Sequence, residues 1–281
     1  MNQSRPIATI IEPATVIEGA GVRLLRSFGP SRANPLDPFL LFDHFAFNDP
    51  IEGPIRGFPT HPHRGIETVT YMLEGSVRHR DSLGNAGMIN PGDVQWMTSG
   101  RGILHEEMPQ RGPQGNIYGF QLWVNLPAAL KMGQPRYQEV KAAEIPTVQT
   151  GGACVRIVAG TVESVRGPVT DIAAGPLYME VQLAPGASYA QAVPQGHTCL
   201  AYVFEGRGSF GGVAVDAVKM LVFGDGDAVN VQASTEASLR FMLISGAPFG
   251  EPIVPYGPFV MNTQQEIQQA LADLRAGTFV S

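Results

Sequence analysis

Three of the six histidines lie in two short runs of the first half, His61-Pro-His63 and His105-Glu-Glu107, about forty residues apart. In a β-strand, residues i and i+2 point to the same face, about 6.6–6.8 Å apart along the strand. His61 and His63 therefore share a face, and Glu107 shares one with His105 while Glu106 turns the other way. A single histidine on a strand is ordinarily a core or surface residue. Here, though, a His-x-His before a strand is followed by the Gly-rich turn Gly100-Arg-Gly102 and a His-x-Glu, and these pieces have no reason to co-occur without a shared ion. Three imidazoles and one carboxylate make a first-row metal site, with His61, His63, His105 and Glu107 as the candidate ligands of one divalent ion. They leave a net charge of about +1 on the ion and, at six-coordination, two open positions, which suits a bidentate substrate or a substrate plus dioxygen. The same four ligands could hold zinc tetrahedrally, and ligand type alone also admits Mn, Ni, Cu or Co.

Convergence of these side chains needs a curled sheet, and the rest of the chain supplies strands. Short β-branched or aromatic runs, such as Thr68 to Leu73, Val94 to Met97, Gly119 to Val124 and Leu239 to Ile244, are bounded by turns such as Glu74-Gly75 and Asn90-Pro-Gly-Asp93. Gly (33) and Pro (23) are abundant and charged residues are only 16%, which suits many short strands and excludes a coiled coil or an acidic disordered tail. The motif Tyr71-Met-Leu-Glu-Gly75 returns as Tyr202-Val-Phe-Glu-Gly206, and Gly92-Asp93 is matched with Gly226-Asp227, so the chain reads as two β-domains in tandem. The join is expected between Val140 and Val155, giving domains 1–142 and 143–281. One amphipathic helix is expected after the capping box Thr263-Gln-Gln-Glu266, with Ile267, Leu271 and Leu274 on its packing face and Gly277 ending it.

The runs FPTHPHRGIETVTYMLEG (58–75), NPGDVQWMTSGRGILHEEMP (90–109), FQLWVNL (120–126) and GPFVMN (257–262) resemble those of the pirins, which are two-domain members of the cupin superfamily. The resemblance spans most of the chain and implies an all-β fold of two tandem jelly-roll barrels with a short C-terminal helix. The general cupin carboxylate would fall at Thr68; pirins instead take a Glu two residues after the third His, here Glu107, leaving Glu67 a structural role. Shifting the ligand positions by the repeat spacing lands on Ala192, Pro194 and Leu239, so the second domain is expected to bind no metal, with His197 alone there. His79, among Arg78, Arg80 and Asp81, reads as solvated, and His44 as an ordinary structural residue, with a place at the pocket rim or behind the ligands as the alternative. Phe58, Trp96 and Met97 could wall the pocket or pack in the core.

The resemblance implies Fe(II) and a quercetin 2,3-dioxygenase-like activity: ring opening of a flavonol-like aromatic substrate by dioxygen with release of carbon monoxide, Glu107 accepting the hydroxyl proton. Two rivals stand beside it. One is a non-enzymatic, iron-dependent redox regulator whose protein partner senses the region of Arg64, Arg78 and Arg80; the other is a zinc-filled binding module. A formal charge of −6 without a basic block disfavours direct nucleic-acid binding. The two cysteines, Cys154 and Cys199, read as buried free thiols. With neither a leader-like N-terminus nor a membrane-spanning apolar run, a cytoplasmic protein is expected.

Overall fold

The runs read as strands pair as strands in the computed structural model, which describes residues 3–47 and 57–280. In the first barrel a seven-stranded sheet runs in the order Arg136–Val140, Val94–Thr98, Ile66–Glu74, Ile117–Asn125, Phe39–Phe47, Val22–Phe28 and Ala14–Glu18. The sheet that faces it holds Phe58–His63, Ile103–Gln110, Ser76–Asp81 and Ala86–Ile89. Alternation places Leu24, Phe45 and Met72 of the first sheet against Val77 and Ile89 of the second in one buried cluster. The chain crosses from Ile66–Glu74 in the first sheet to Ser76–Asp81 in the second at Gly75, whose φ of +72° and close approach to Gln110 O leave no room for a side chain.

The second barrel is built around Thr198–Phe210, which pairs along its first part with Lys219–Phe223 and Leu239–Gly246 and along its last with Val213–Asp216 and Ala228–Ala233. Its interior is filled by aliphatic and aromatic side chains, among them Val155, Met179, Val181, Val203, Phe210 and Phe241. Each such burial contributes about 1.5–3 kcal/mol relative to exposure.

The compact units are Ala14–Ala142 with Phe249–Ser281, and Met1–Pro13 with Ala143–Pro248. The division into 1–142 and 143–281 differs from this at both ends of the chain. At the N-terminus, Ile7–Ile11 pairs antiparallel with Lys219–Phe223, covering what would be an open sheet edge of the second barrel. At the C-terminus, Val254, Phe259, Met261, Ile267 and Phe279 bury themselves together against Leu104 on the outer face of the Ile103–Gln110 strand. The helix Gln264–Ala276 has the expected capping box, with Thr263 Oγ1 accepting from Glu266 N, and ends at left-handed Gly277. It buries Ile267 and Ala270, while Leu274, expected on the packing face, is exposed.

Strand pairing also corrects the repeat. Gly226-Asp227 precedes Ala228–Ala233, which corresponds to Ile103–Gln110 rather than to Val94–Thr98, because each pairs with the strand before the Tyr-x-x-Glu-Gly motif and with the residues that follow the motif's glycine. Among the described residues, no helix is long and apolar enough to cross a membrane.

Candidate metal centre

His61 and His105 face each other as Cα partners on Phe58–His63 and Ile103–Gln110, and His63 lies one alternation along the same face. Metal-binding atoms of the three rings all lie within 4.8 Å of one another. His63 and His105 are buried and His61 is half-buried.

Backbone carbonyls set two of the rings. His61 Nδ1 is 2.9 Å from Pro59 O, and His63 Nδ1 is 3.3 Å from Pro258 O. A carbonyl only accepts, so each Nδ1 carries the proton and each Nε2, in the neutral ring, presents a lone pair. The two Nε2 atoms are 3.1 Å apart. Lone pairs at that distance repel unless a cation is shared, and two nitrogens bound about 2.1 Å from one ion at a right angle would stand about 3 Å apart. Burial, reinforced by His61, pushes His63 down to about 3, and burial holds His105 well below its ordinary value. Both nitrogens of His105 are buried without a protein partner. Neutral imidazoles with unmet lone pairs fit a divalent metal ion.

Glu107 lies on the same cavity as His61 and His63 but outside the three-histidine cluster, the pairing with Phe58–His63 shifting register between His105 and Glu107. Burial pushes its carboxyl up to about 7, opposed by Thr70, whose Oγ1 is 3.2 Å from Glu107 Oε1 and 3.0 Å from Gln121 Oε1. Glu106 turns outward to within 3.9 Å of Arg78. Glu67 accepts from Thr98 Oγ1 at 2.7 Å, with its carboxyl raised to about 7 by burial. Neither Glu67 nor Thr68 borders the cavity.

The cavity encloses about 520 Å³. Phe58, Trp123 and Leu41 give it apolar walls, with Trp123 edge-on to the His63 ring at 5.2 Å. A polar wall is made by Arg26, whose guanidinium grips Asp43 through two bonds of 2.8 and 2.7 Å and reaches Glu18 at 2.7 Å. Of the residues read as either pocket walls or core, Trp96 and Met97 are buried in their sheet and do not border the cavity.

Two further expectations are corrected, and the pocket-rim alternative for His44 falls away. His79 is fully buried, because Val77 and His79 alternate inward while Arg78 and Arg80 alternate out. His44 is not at the rim: it packs against Tyr118 and Phe120 on the face away from Asp43 and Phe45. Arg64, offered as part of a sensing surface, is 3% exposed, paired with Asp273 at 2.7 Å and lying over the Phe279 ring. Cys199 is buried and Cys154 half-buried, both as free thiols.

Sequence reasoning missed Arg26, Asp43, Gln121, Trp123 and Pro258. Pro258 had a signal, since the GPFVMN run was recognised without being given a role; a carbonyl contact across nearly two hundred residues leaves no local pattern. In the second barrel the inward-facing residues of Ser188–Ala192 are Tyr189 and Gln191, while Ala192, the position the repeat spacing gives for His61, faces out. Tyr189 Oη donates to Gln191 Oε1 at 2.5 Å amid the apolar interior. Among the described residues, no cluster of metal-binding side chains is found in that barrel.

The pirin family pattern matches residues 21–124, and that of the pirin C-terminal cupin domain matches residues 178–280. The chain is 44% identical over 277 residues to a pirin-like protein of Caulobacter vibrioides, covering 98% of this chain and 99% of that one. It is 41% identical to pirin of Homo sapiens, covering 98% and 94%. A crystal structure of a quercetin 2,3-dioxygenase from Acinetobacter baumannii superposes with a TM-score of 0.88 at 33% identity, covering 99% of both chains.

Proposed function

Because this chain belongs to the pirin family and gathers three buried histidines beside a mainly apolar cavity, we propose that it is a metal-dependent dioxygenase acting on flavonol-like aromatic substrates. The observation that carries the reading is the pair of Nε2 lone pairs 3.1 Å apart, with both Nδ1 atoms committed to carbonyls. The structural likeness to a quercetin 2,3-dioxygenase supports the substrate class.

His61, His63, His105 and Glu107 would hold one divalent ion, with Fe(II) as the choice. When bound, that ion supplies Lewis acidity at the substrate's 3-hydroxyl and a redox partner for dioxygen. Glu107 then accepts the hydroxyl proton, its carboxyl tuned by burial toward the working pH. Thr70 has a single hydroxyl proton to offer Glu107 or Gln121, so it steadies either the charged carboxylate or the amide beside it. Phe58 and Trp123 stack or edge against the rings and exclude water. Overall, one dioxygen is consumed and one carbon monoxide released per ring opened.

The test is oxygen uptake by protein reconstituted anaerobically with Fe(II), on addition of quercetin, with His61→Ala as the control. The expected result is uptake matched by carbon monoxide release, falling to background in His61→Ala. Absence of uptake by fully iron-loaded wild type would sink the reading and favour a regulator that binds a protein partner.

A further inference from the structure

His61 and His63 each have a backbone carbonyl that fixes the ring, but the third histidine of the cluster has none. Both ring nitrogens of His105 are buried without a protein partner. Its other neighbour is His79, whose ring centre lies 5.4 Å away at a tilt of 59°. His79 is fully enclosed, stacked on Tyr137 at 5.1 Å, and its Nε2 lies 3.2 Å from Asp81 Oδ2.

Hydrogen-bond accounting at Asp81 decides the His79 tautomer. Asp81 Oδ1 accepts from Leu83 N at 2.9 Å and Asn85 N at 3.0 Å, and Oδ2 accepts from Asn85 Nδ2 at 2.8 Å. A carboxylate so loaded is an acceptor, so the proton of the His79–Asp81 bond sits on His79 Nε2. With its one proton on Nε2, the neutral imidazole presents Nδ1 as an acceptor. That atom too is buried without a partner. An acceptor in want of a donor therefore lies beside an imidazole in want of an acceptor.

We propose that Asp81 and His79 are the positioning pair of His105: Asp81 sets the tautomer of His79, and His79 Nδ1 accepts from His105 Nδ1–H, directly after a small ring rotation or through one water, leaving the His105 Nε2 lone pair for the metal. The proposal rests on the metal reading of the cluster and not on the choice of substrate. Outer partners of this kind orient a ligating imidazole and raise its basicity, and their loss typically costs about 10- to 100-fold in metal affinity.

The test uses the full-length chain and Co(II) alone, with the dissociation constant from chelator competition and the visible d–d spectrum as readouts. His79→Leu is expected to weaken Co(II) binding about 10- to 100-fold and shift the spectrum, while His79→Gln, which keeps an acceptor, recovers most of the affinity. A role in packing alone would lower the unfolding temperature and leave the affinity and spectrum of the folded fraction unchanged. Wild-type affinity and spectrum in folded His79→Leu would overturn the proposal, as would a wild type that binds no Co(II). Should the Leu variant fail to fold, imidazole ¹⁵N spectra of the wild type decide: a proton on His79 Nε2 with Nδ1 bare is expected, and a proton on Nδ1 overturns it. Wild type that binds Co(II) but consumes no oxygen would leave this pair standing while the dioxygenase reading fell.

Discussion

Burial governs the protonation of individual residues throughout the first barrel, and Glu67 displays it apart from the metal cluster. Its carboxyl is raised to about 7 by desolvation, with Thr98, Trp96 and Arg136 pulling weakly the other way. Between the ordinary carboxyl range and about 7, the folded state thus binds more protons at Glu67 than the unfolded state does. Stability contributed by the protonated group is complete below the unfolded value and declines as pH rises through the folded one. Replacing it by the neutral isostere removes that dependence. Glu67→Gln is expected to match wild type near pH 4.5 and to exceed it at pH 8 by on the order of 2–3 kcal/mol, measured by urea unfolding at both pH values. An equal stability gap at the two pH values would show that Glu67 stays charged in the fold. At this scale the convergence of His61, His63 and His105 was legible because two alternating strands need only pair to bring them together. The inward place of His79 was legible as well, in the alternation of Val77 with His79, but its charged neighbours masked it. The Arg26–Asp43 pair was not legible, since its partners meet through pairing of separate strands.

Among the elements, the C-terminal segment does more than cover the barrel. Its Pro258 carbonyl orients His63, Asp273 on the helix grips Arg64, and Val260 N bonds to Arg64 O at 3.1 Å. Next in the chain, Gly65 passes so close to Val260 O that a Cβ would lie 2.2 Å from it, which is why this turn takes glycine. Buried Lys131 completes the junction, donating to Gly65 O, Val260 O and Asn125 Oδ1 at 2.7–2.8 Å. Arg64 is almost wholly buried, so loss of its counter-ion strands a guanidinium to which, among the described residues, Phe279 O and the Phe279 ring remain. Asp273→Ala is therefore expected to cost about 1–3 kcal/mol, somewhat less than a fully buried pair because Asp273 remains partly exposed. Metal affinity should fall with it, since Arg64 is the residue after His63. Chemical denaturation and metal titration of the same variant check both; loss of stability with unchanged metal affinity would mean the helix supports the fold without steadying the ligand. The helix itself was legible from its capping box, whereas its use was not, because a long-range ion pair writes no period into the sequence.

Across the whole molecule, duplication is the feature that sequence displays best, and exchange of the chain ends is the one it hides. The repeated Tyr-x-x-Glu-Gly motif marks equivalent strands of two barrels, but nothing in Ile7–Ile11 says that its partner is Lys219–Phe223. The same blindness misplaced the second landmark by one strand, since the same Gly-Asp pair precedes Val94–Thr98 and Ala228–Ala233 and only pairing shows that these strands are not equivalent. The exchange has a mechanical consequence. A chain cut between 142 and 143 leaves residues 143–281 without the strand that covers the Lys219–Phe223 edge, and leaves residues 1–142 without Phe259, Ile267 and Phe279 against Leu104 and without the Pro258 acceptor for His63. Each lost aromatic or aliphatic burial is worth about 1.5–3 kcal/mol, and a marginal fold of about 5–15 kcal/mol does not survive several. Neither half is therefore expected to give a cooperative thermal transition or to bind Co(II) by itself. Produced together, the halves should combine into a species that does both, because every strand then finds its partner without a peptide bond at the cut. Calorimetry and Co(II) titration of the separate and co-produced halves read this directly. Native metal affinity in residues 1–142 alone would show that the histidine cluster stands without the C-terminal segment, and that Pro258 and Asp273 are dispensable to it.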